Sequence, residues 1–315
     1  MRTRFVKSSS NSMSSIEGHR AVLLHEVVEN LCIQESDVVV DATLGGAGHA
    51  RAIAKQLGND GVFVGFDLDE SAIERTGEVL QDLRKPTIHL INANFRDLSA
   101  ELSKLGITRI NKAVFDLGWS GYQLEAGRGF SFLKDEPLSM SYSTLSPSAA
   151  LTAATIVNKW EEENIADVIF GWGEEHYSRR IAKKIVEQRA KSPIGTSLEL
   201  AGIIRAAVPP AYRYGRIHPA TRTFQALRIA VNDEIGALKE GLLAAWNQLV
   251  AGGRIAVISF HSIEDREVKT QFLLWEKAGE GKRITHKPIC AGNEELGINP
   301  RARSAKLRVI EKIIH

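Results

Sequence analysis

Three acids, Asp41, Asp67 and Asp116, each close a short apolar run, and the first is followed by the turn Thr43-Leu44-Gly45-Gly46-Ala47-Gly48-His49. Glycines in such a turn let a ligand come close to backbone. A carboxylate at the tip of the next run, Asp67, sits where it can bind both hydroxyls of a ribose. Together they describe a nucleoside-containing cofactor held by the first half of a doubly wound α/β sheet. The details favour S-adenosylmethionine over a dinucleotide. The glycines run Gly-Gly-Ala-Gly rather than Gly-x-Gly-x-x-Gly. Asp41 would also repel a pyrophosphate and attract the ammonium group of S-adenosylmethionine.

Asp116-Leu117-Gly118-Trp119-Ser120 ends the fourth apolar run, and a carboxylate there can accept a hydrogen bond from an exocyclic amine about to be methylated. The plainer reading is an acid capping its own turn. In Asn92–Leu98, Phe95 either stacks on an adenine ring or is core. Gly215–Arg228 is polar for a segment entering an apolar helix: Arg216, Arg222, Arg228 and His218 suit phosphates or base edges, or form a solvated basic face. Ser259–Arg266 places His261 beside Glu264 and Asp265, as a site wall, a helix N-cap, or both. Arg301, Arg303 and Lys306 crowd the C-terminal segment, where Ser304–Val309 alternates like an edge strand. That basic strip points to an anionic polymer, or protects the edge by charge. No Gly-x-Ser-x-Gly sequence supports a Ser-His-acid hydrolase. Cys32 and Cys290 lie far apart without metal-ligand spacing, so no metal site is expected.

The positioning elements follow from periodicity. Strand signals at Val38–Asp41, Gly61–Phe66, Ile88–Asn92 and Lys112–Asp116 alternate with helical patterns at Ala50–Leu57, Ser71–Leu83 and Ser99–Leu105, which implies a parallel sheet with right-handed crossovers. Strand signals then vanish until Gly253–Ser259. Helical patterns fill Ala149–Asn158, Glu161–Trp172, Ser178–Arg189 and Ser197–Ala207, and a single long helix is expected over Thr223–Asn247. The expected organisation is a flexible basic and serine-rich tail (1–15), a cofactor-binding domain in two pieces (16–122 and 216–315) and an inserted helical substrate subdomain (123–215). The chain has 315 residues, 43% hydrophobic and 25% charged, with a net charge of +2, so a nucleic-acid surface must come from local clustering. No apolar run approaches the roughly 20 residues that cross a bilayer. The tail lacks the apolar core of a secretory signal, and a cytoplasmic protein is expected.

These segments taken together resemble the bacterial 16S ribosomal RNA cytosine-N4 methyltransferases, the RsmH (formerly MraW) family. The resemblance runs from His25-Glu26-Val27-Val28 to Pro300–Arg308, through Asp41–His49, Gly127-Arg128-Gly129-Phe130-Ser131-Phe132, His218–Arg228 and Ser259–Arg266. It implies a class I S-adenosylmethionine-dependent methyltransferase, a Rossmann-like doubly wound sheet with an inserted helical subdomain, that methylates N4 of a cytidine in the decoding region of the small ribosomal subunit. It places cofactor contacts on Ala47, Gly48, His49, Asp67, Phe95, Asp116 and Gln123. This chain departs from the family pattern at Trp119-Ser120-Gly121-Tyr122, at Glu125, and at Pro137-Leu138-Ser139-Met140-Ser141-Tyr142-Ser143, where two acids and a base are replaced by hydroxyls.

For such a reaction catalysis rests on positioning and electrostatics, with Asp116 receiving the amine proton and His218 and His261 as further participants. The absence of a cysteine near these motifs argues against methylation at cytosine C5, which needs a thiolate. Competing readings are a nucleotide-dependent oxidoreductase, a methyltransferase with another RNA target, and a non-catalytic assembly factor that binds S-adenosylmethionine. The sequence does not choose between monomer and homodimer.

Overall fold

The β-branched and aromatic runs become strands that stack side by side with one reversal of order. The computed structural model describes residues 20–118, 124, 126–142 and 151–313. Gln123, the tail 1–15, Trp119–Tyr122 and Ser143 therefore lie outside the described residues. After α1 (Leu24–Leu31) come β1 (Val38–Asp41), α2 (Gly48–Ala54), β2 (Val62–Asp67), α3 (Glu70–Leu80), β3 (Thr87–Asn92), α4 (Leu98–Lys104) and β4 (Ile110–Asp116). The helices α5 (Ala153–Lys159), α6 (Glu162–Gly173), α7 (Ser178–Arg189) and α8 (Ser197–Ala207) follow. Then come α9 (Thr221–Asn232), α10 (Glu234–Gln248), β5 (Leu249–Ser259), α11 (Ser262–Lys277), β6 (Gly281–Arg283), α12 (Asn293–Ile298) and β7 (Lys306–Lys312).

The strands form a seven-stranded sheet in the order β3-β2-β1-β4-β5-β7-β6. β1 to β5 pair in parallel, and β7 runs antiparallel to both β5 and β6. This order with one reversed strand near the far edge is that of a class I methyltransferase sheet. The chain reaches one edge at β3 and restarts beside β1 as β4, so a crevice opens where β1 and β4 end. Asp41 and Asp116 close those two strands.

One expectation is overturned at the C-terminus. The alternating segment is not an edge strand, because Ile289 bridges Leu307, Ile284 donates to the Val309 carbonyl, and β6 continues the pairing from Ile310. Arg308 is buried there, and both it and Lys306 are held by Asp265, at 2.7 and 3.0 Å.

The helices α5 to α8 build an apolar core of their own. On α7, Ile181, Ala182 and Ile185 turn inward while Arg179, Arg180 and Lys183 face solvent, the period expected of an amphipathic helix. Phe130, Leu138 and Met140 join this core, and so do Ala220, Phe224 and Leu227 from beyond residue 215.

The single helix expected over Thr223–Asn247 is two. Asp233 adopts φ 46°, ψ 45° and breaks it, and its carboxylate is held by Arg96 Nη2 at 2.6 Å. Gly236 makes room, since a Cβ there would sit 2.4 Å from that carboxylate. The break has two consequences. Phe224 and Leu227 on α9 pack with the inserted helices, while Leu238, Leu242 and Trp246 on α10 pack under the sheet. It also folds Glu234 back onto Arg228, a spacing of six that a continuous helix would not bring together.

Candidate active site

A cavity of about 550 Å³ opens at the carboxyl ends of β1, β2 and β4, within the size range of small-molecule and cofactor sites. The β1–α2 loop forms one wall. Gly45 (φ 50°) and Ala47 (φ 63°) take left-handed backbone, and the loop lies flat because Gly65 has no side chain. A Cβ there would be 2.5 Å from Leu44 Cδ2. Thr43 ties the strand ends together: its N–H donates to Asp41 Oδ1 (3.1 Å), and its Oγ1 accepts the N–H of Asp116 (2.6 Å).

The three acids meet here. Asp67 Oδ2 accepts from the N–H of Gly45 and Oδ1 from that of Asp69, both at 2.9 Å. Each oxygen retains acceptor capacity for a hydroxyl. Asp41 is fully buried, and its Oδ2 has no partner among the described residues. Asp116 is 22% exposed, with Oδ1 buried and likewise without a partner. Burial raises all three carboxyls above their ordinary range. The neighbouring charges of Asp116 and Asp67 add to this for Asp41, and that of Glu264 for Asp116, which is pushed up to about 8. His49 Nε2 lies 3.0 Å from the Val22 carbonyl, which can only accept, so that nitrogen carries the proton. Its Nδ1 then turns a lone pair toward Asp116 Oδ2 at 3.5 Å. A crowd of desolvated carboxyls is the electrostatic complement of a cation and the opposite of a pyrophosphate site.

The predicted cofactor residues divide. Gly48, His49, Asp67, Phe95 and Asp116 line the cavity, whereas Asp41 and Ala47 are not among its lining residues. Phe95 is at once part of the core and of the cavity lining. It meets Phe115 edge-on (5.6 Å, 85°), packs against Gly241, and still faces the cavity beside Ala93 and Asn94.

The opposite wall comes from Phe130, Phe132, Met140 and Tyr142, from α9, and from the start of α11. His261 lines it as the N-cap of α11: Nδ1 accepts the Glu264 N–H (3.4 Å), Nε2 lies 3.1 Å from Glu264 Oε1, and Glu264 Oε2 accepts the Phe260 N–H (2.8 Å). His261 is thus both wall and cap. His218 is not among the lining residues. It stacks on Phe132 (4.5 Å, 6°), its Nδ1 accepts the Ala220 N–H, and burial together with Arg205 lowers its pKa.

The basic residues also separate. Arg301 and Arg303 stand among the lining residues and Arg216 is exposed. Arg222 donates to the Glu174 carbonyl (3.4 Å). Arg228 is a buried partner of Glu234, and Lys306 is tied to Asp265. Two further contributors, Tyr142 and Glu234, carry no signal in sequence because the helix break at Asp233 creates their contact: Tyr142 Oη donates to Glu234 Oε1 at 3.0 Å. Glu234, His261 and Glu264 bring metal-ligand atoms within 4.8 Å of one another. The Arg228 guanidinium already takes both Glu234 oxygens, so a cation would have to displace it.

Residues 17–313 match the model of the MraW methylase family. The "Ribosomal RNA small subunit methyltransferase H" of Clostridioides difficile is 42% identical over 311 residues, covering 94% of this chain and 99% of its own. The protein of the same name from Geobacter sulfurreducens is 45% identical over 311 residues, with the same coverage. A solved structure, a putative rRNA-methylase from Clostridium thermocellum, overlays 92% of this chain and 95% of its own at 17% identity, with a TM-score of 0.45. The match to the family model runs through every wall of the cavity, from the glycine loop to the C-terminal arginines, and the chain belongs to the MraW methylase family.

Proposed function

We propose that this protein transfers the methyl group of S-adenosylmethionine to N4 of a cytidine in the decoding region of 16S ribosomal RNA, acting on the small ribosomal subunit in the cytoplasm. The observation that carries the reading is Asp116 on the cavity wall, a carboxyl pushed up to about 8 with one oxygen unpartnered among the described residues, in a cavity also lined by the desolvated Asp67. When bound, the cofactor supplies an electrophilic methyl group on a positively charged sulfur.

The chain's own residues do the rest. Asp67 would hold the ribose hydroxyls, and Phe95 with Asn94 and Ala93 would flank the adenine. The glycine loop brings backbone close to the remainder. A cationic ligand favours the ionised form of Asp116, so the carboxylate becomes an acceptor when the cofactor arrives. The carboxylate would accept a hydrogen bond from the cytosine amine and so orient its nitrogen toward the methyl group. The Asp116 carboxylate would take the proton that the amine nitrogen loses as it gains the methyl group. His49 Nδ1 lies 3.5 Å from Asp116 Oδ2 and can accept a hydrogen bond from the carboxyl once it is protonated. Arg301, Arg303 and Arg216 supply phosphate contacts, and the inserted helices 123–215 form the substrate-recognition side. The unstacked base enters between the two halves.

The test uses small subunits from a strain lacking the modification, incubated with the protein and labelled S-adenosylmethionine, with nucleosides read by mass spectrometry. N4-methylated cytidine, lost with Asp116→Ala while the cofactor still binds, is the expected result. Cofactor binding without transfer by the unaltered protein would refute it.

A further inference from the structure

The wall facing the glycine loop holds a cation that the transfer step leaves unused. Arg228 is 8% exposed and lines the cavity. Its Nε donates to Glu234 Oε1 at 2.8 Å and its Nη2 to Glu234 Oε2 at 2.9 Å. Tyr142 Oη braces the same carboxylate, and Asn232 Nδ2 donates to the Arg228 and Met140 carbonyls at 2.9 and 2.8 Å. The guanidinium is therefore fixed in place before any ligand arrives, and among the described residues its remaining nitrogen, Nη1, has no hydrogen-bond partner. A pre-set, buried donor on a cavity wall is a recognition element.

The charge around it says what it recognises. On this wall two carboxylates, Glu234 and Glu264, stand against the one guanidinium of Arg228. A second carboxylate or a phosphate would be repelled there, whereas a neutral acceptor such as a ring nitrogen or a carbonyl would not. Asp116 and Arg228 line the same cavity, and the carboxylate of Glu264 lies within 4.8 Å of that of Glu234, the partner of Arg228. Cytosine offers an amine donor beside two acceptors, N3 and O2. Uracil turned the same way would put a carbonyl on the carboxylate and an N–H in place of the N3 acceptor, sharing only O2 with cytosine.

Resting on the function proposed above, we propose that Arg228 Nη1 reads the N3/O2 edge of the target base while Asp116 takes its amine, and so sets cytosine specificity. Arg228 is then a base reader rather than a phosphate contact.

The test is a cycle on reconstituted small subunits whose target nucleotide is cytidine, 3-deazacytidine (which lacks the N3 acceptor) or 2-thiocytidine (which weakens the O2 acceptor). Single-turnover methylation is measured for the unaltered protein and for Arg228→Lys, which keeps the charge opposite Glu234 but not the third donor. The expected result is a tenfold or larger penalty for at least one analogue with the unaltered protein, falling below about threefold in Arg228→Lys, with cofactor affinity unchanged. Changes in amine reactivity caused by the analogue are common to both proteins and cancel in the cycle. Penalties that multiply independently for both analogues overturn the assignment, as does a tenfold loss of S-adenosylmethionine affinity, which would put Nη1 on the cofactor. If Arg228→Lys does not fold, the cycle is run on the Arg228→Met, Glu234→Gln double variant, which leaves no unpaired buried charge. Failure of the unaltered protein to methylate cytidine at all would overturn the underlying reading, and this assignment with it.

Discussion

Asp116→Asn should make the free protein more stable and abolish transfer, and the size of the gain should depend on pH in a way that identifies the cause. The folded carboxyl has a pKa of about 8 against an ordinary 3.8, because burial and the Glu264 charge disfavour its ionised form. A raised carboxyl stabilises the fold fully only below its unfolded pKa. From there to the folded pKa the unfolded chain is ionised while the native one holds its proton, so stability falls as pH rises, at about 1.4 kcal/mol per pH unit. Above about pH 8 the loss levels off. From pH 5 to pH 9 this one group removes on the order of 4 kcal/mol, a large share of the 5–15 kcal/mol of a typical domain. Asparagine does not titrate, so its advantage over aspartate should be small at pH 5, grow by about 1.4 kcal/mol per unit to pH 8, and flatten beyond. Urea unfolding of both proteins at five pH values measures the difference with m unchanged. A stability difference that stays constant within ~0.5 kcal/mol across this range would show that Asp116 is not desolvated in the free protein, and would remove the basis for its role as a poised acceptor.

The same carboxyl predicts that kcat/KM for S-adenosylmethionine rises with pH until about 8 and then levels, because that parameter reports the free enzyme's base; a flat profile from pH 6 to 9 would contradict it. Gly65→Ala should push Leu44 out of the loop, since the new Cβ would meet Leu44 Cδ2 at 2.5 Å. The expected effect is ~1–3 kcal/mol of stability and at least tenfold of cofactor affinity by calorimetry; unchanged affinity would mean the loop's shape does not matter. Replacing Arg301 and Arg303 together by alanine should leave cofactor binding intact and lower the salt slope of subunit binding by about 2. Lys306→Ala should change that slope less, because Asp265 already holds its ammonium at 3.0 Å; an equal effect would show that the Asp265 pair opens on binding.

The half of the site that sits on strand ends was legible from sequence. Asp41, Asp67 and Asp116 are placed by local runs of apolar residues, and the parallel sheet that brings those ends together follows from alternation of strand and helix alone. The other half was not, because its contacts depend on one backbone torsion. Read as a continuous pattern, Thr223–Asn247 is a helix on which Arg228 and Glu234 point apart, so Arg228 looked like one base of an exposed cluster. The positive φ of Asp233 breaks that helix, turns Glu234 back, and makes Arg228 the buried member of a pair. Nothing in the propensity of an aspartate followed by a glutamate announces this. Its supports, Arg96 on the carboxylate and Gly236 beneath it, act through space. Lys306 and Arg308 misled in the same way, as their alternation suited an exposed strand until Ile284, Ile289 and Asp265 covered it. The contrast separates two kinds of recognition. The proposed cofactor side uses groups fixed by secondary structure. The base side uses groups fixed by tertiary charge pairing, and the hydroxyl substitutions at Ser139 and Ser141 fall in the segment that leads to Tyr142 on that second side. A change of target base would therefore be sought among Tyr142, Arg228 and Glu234, leaving the three strand-end acids as they are.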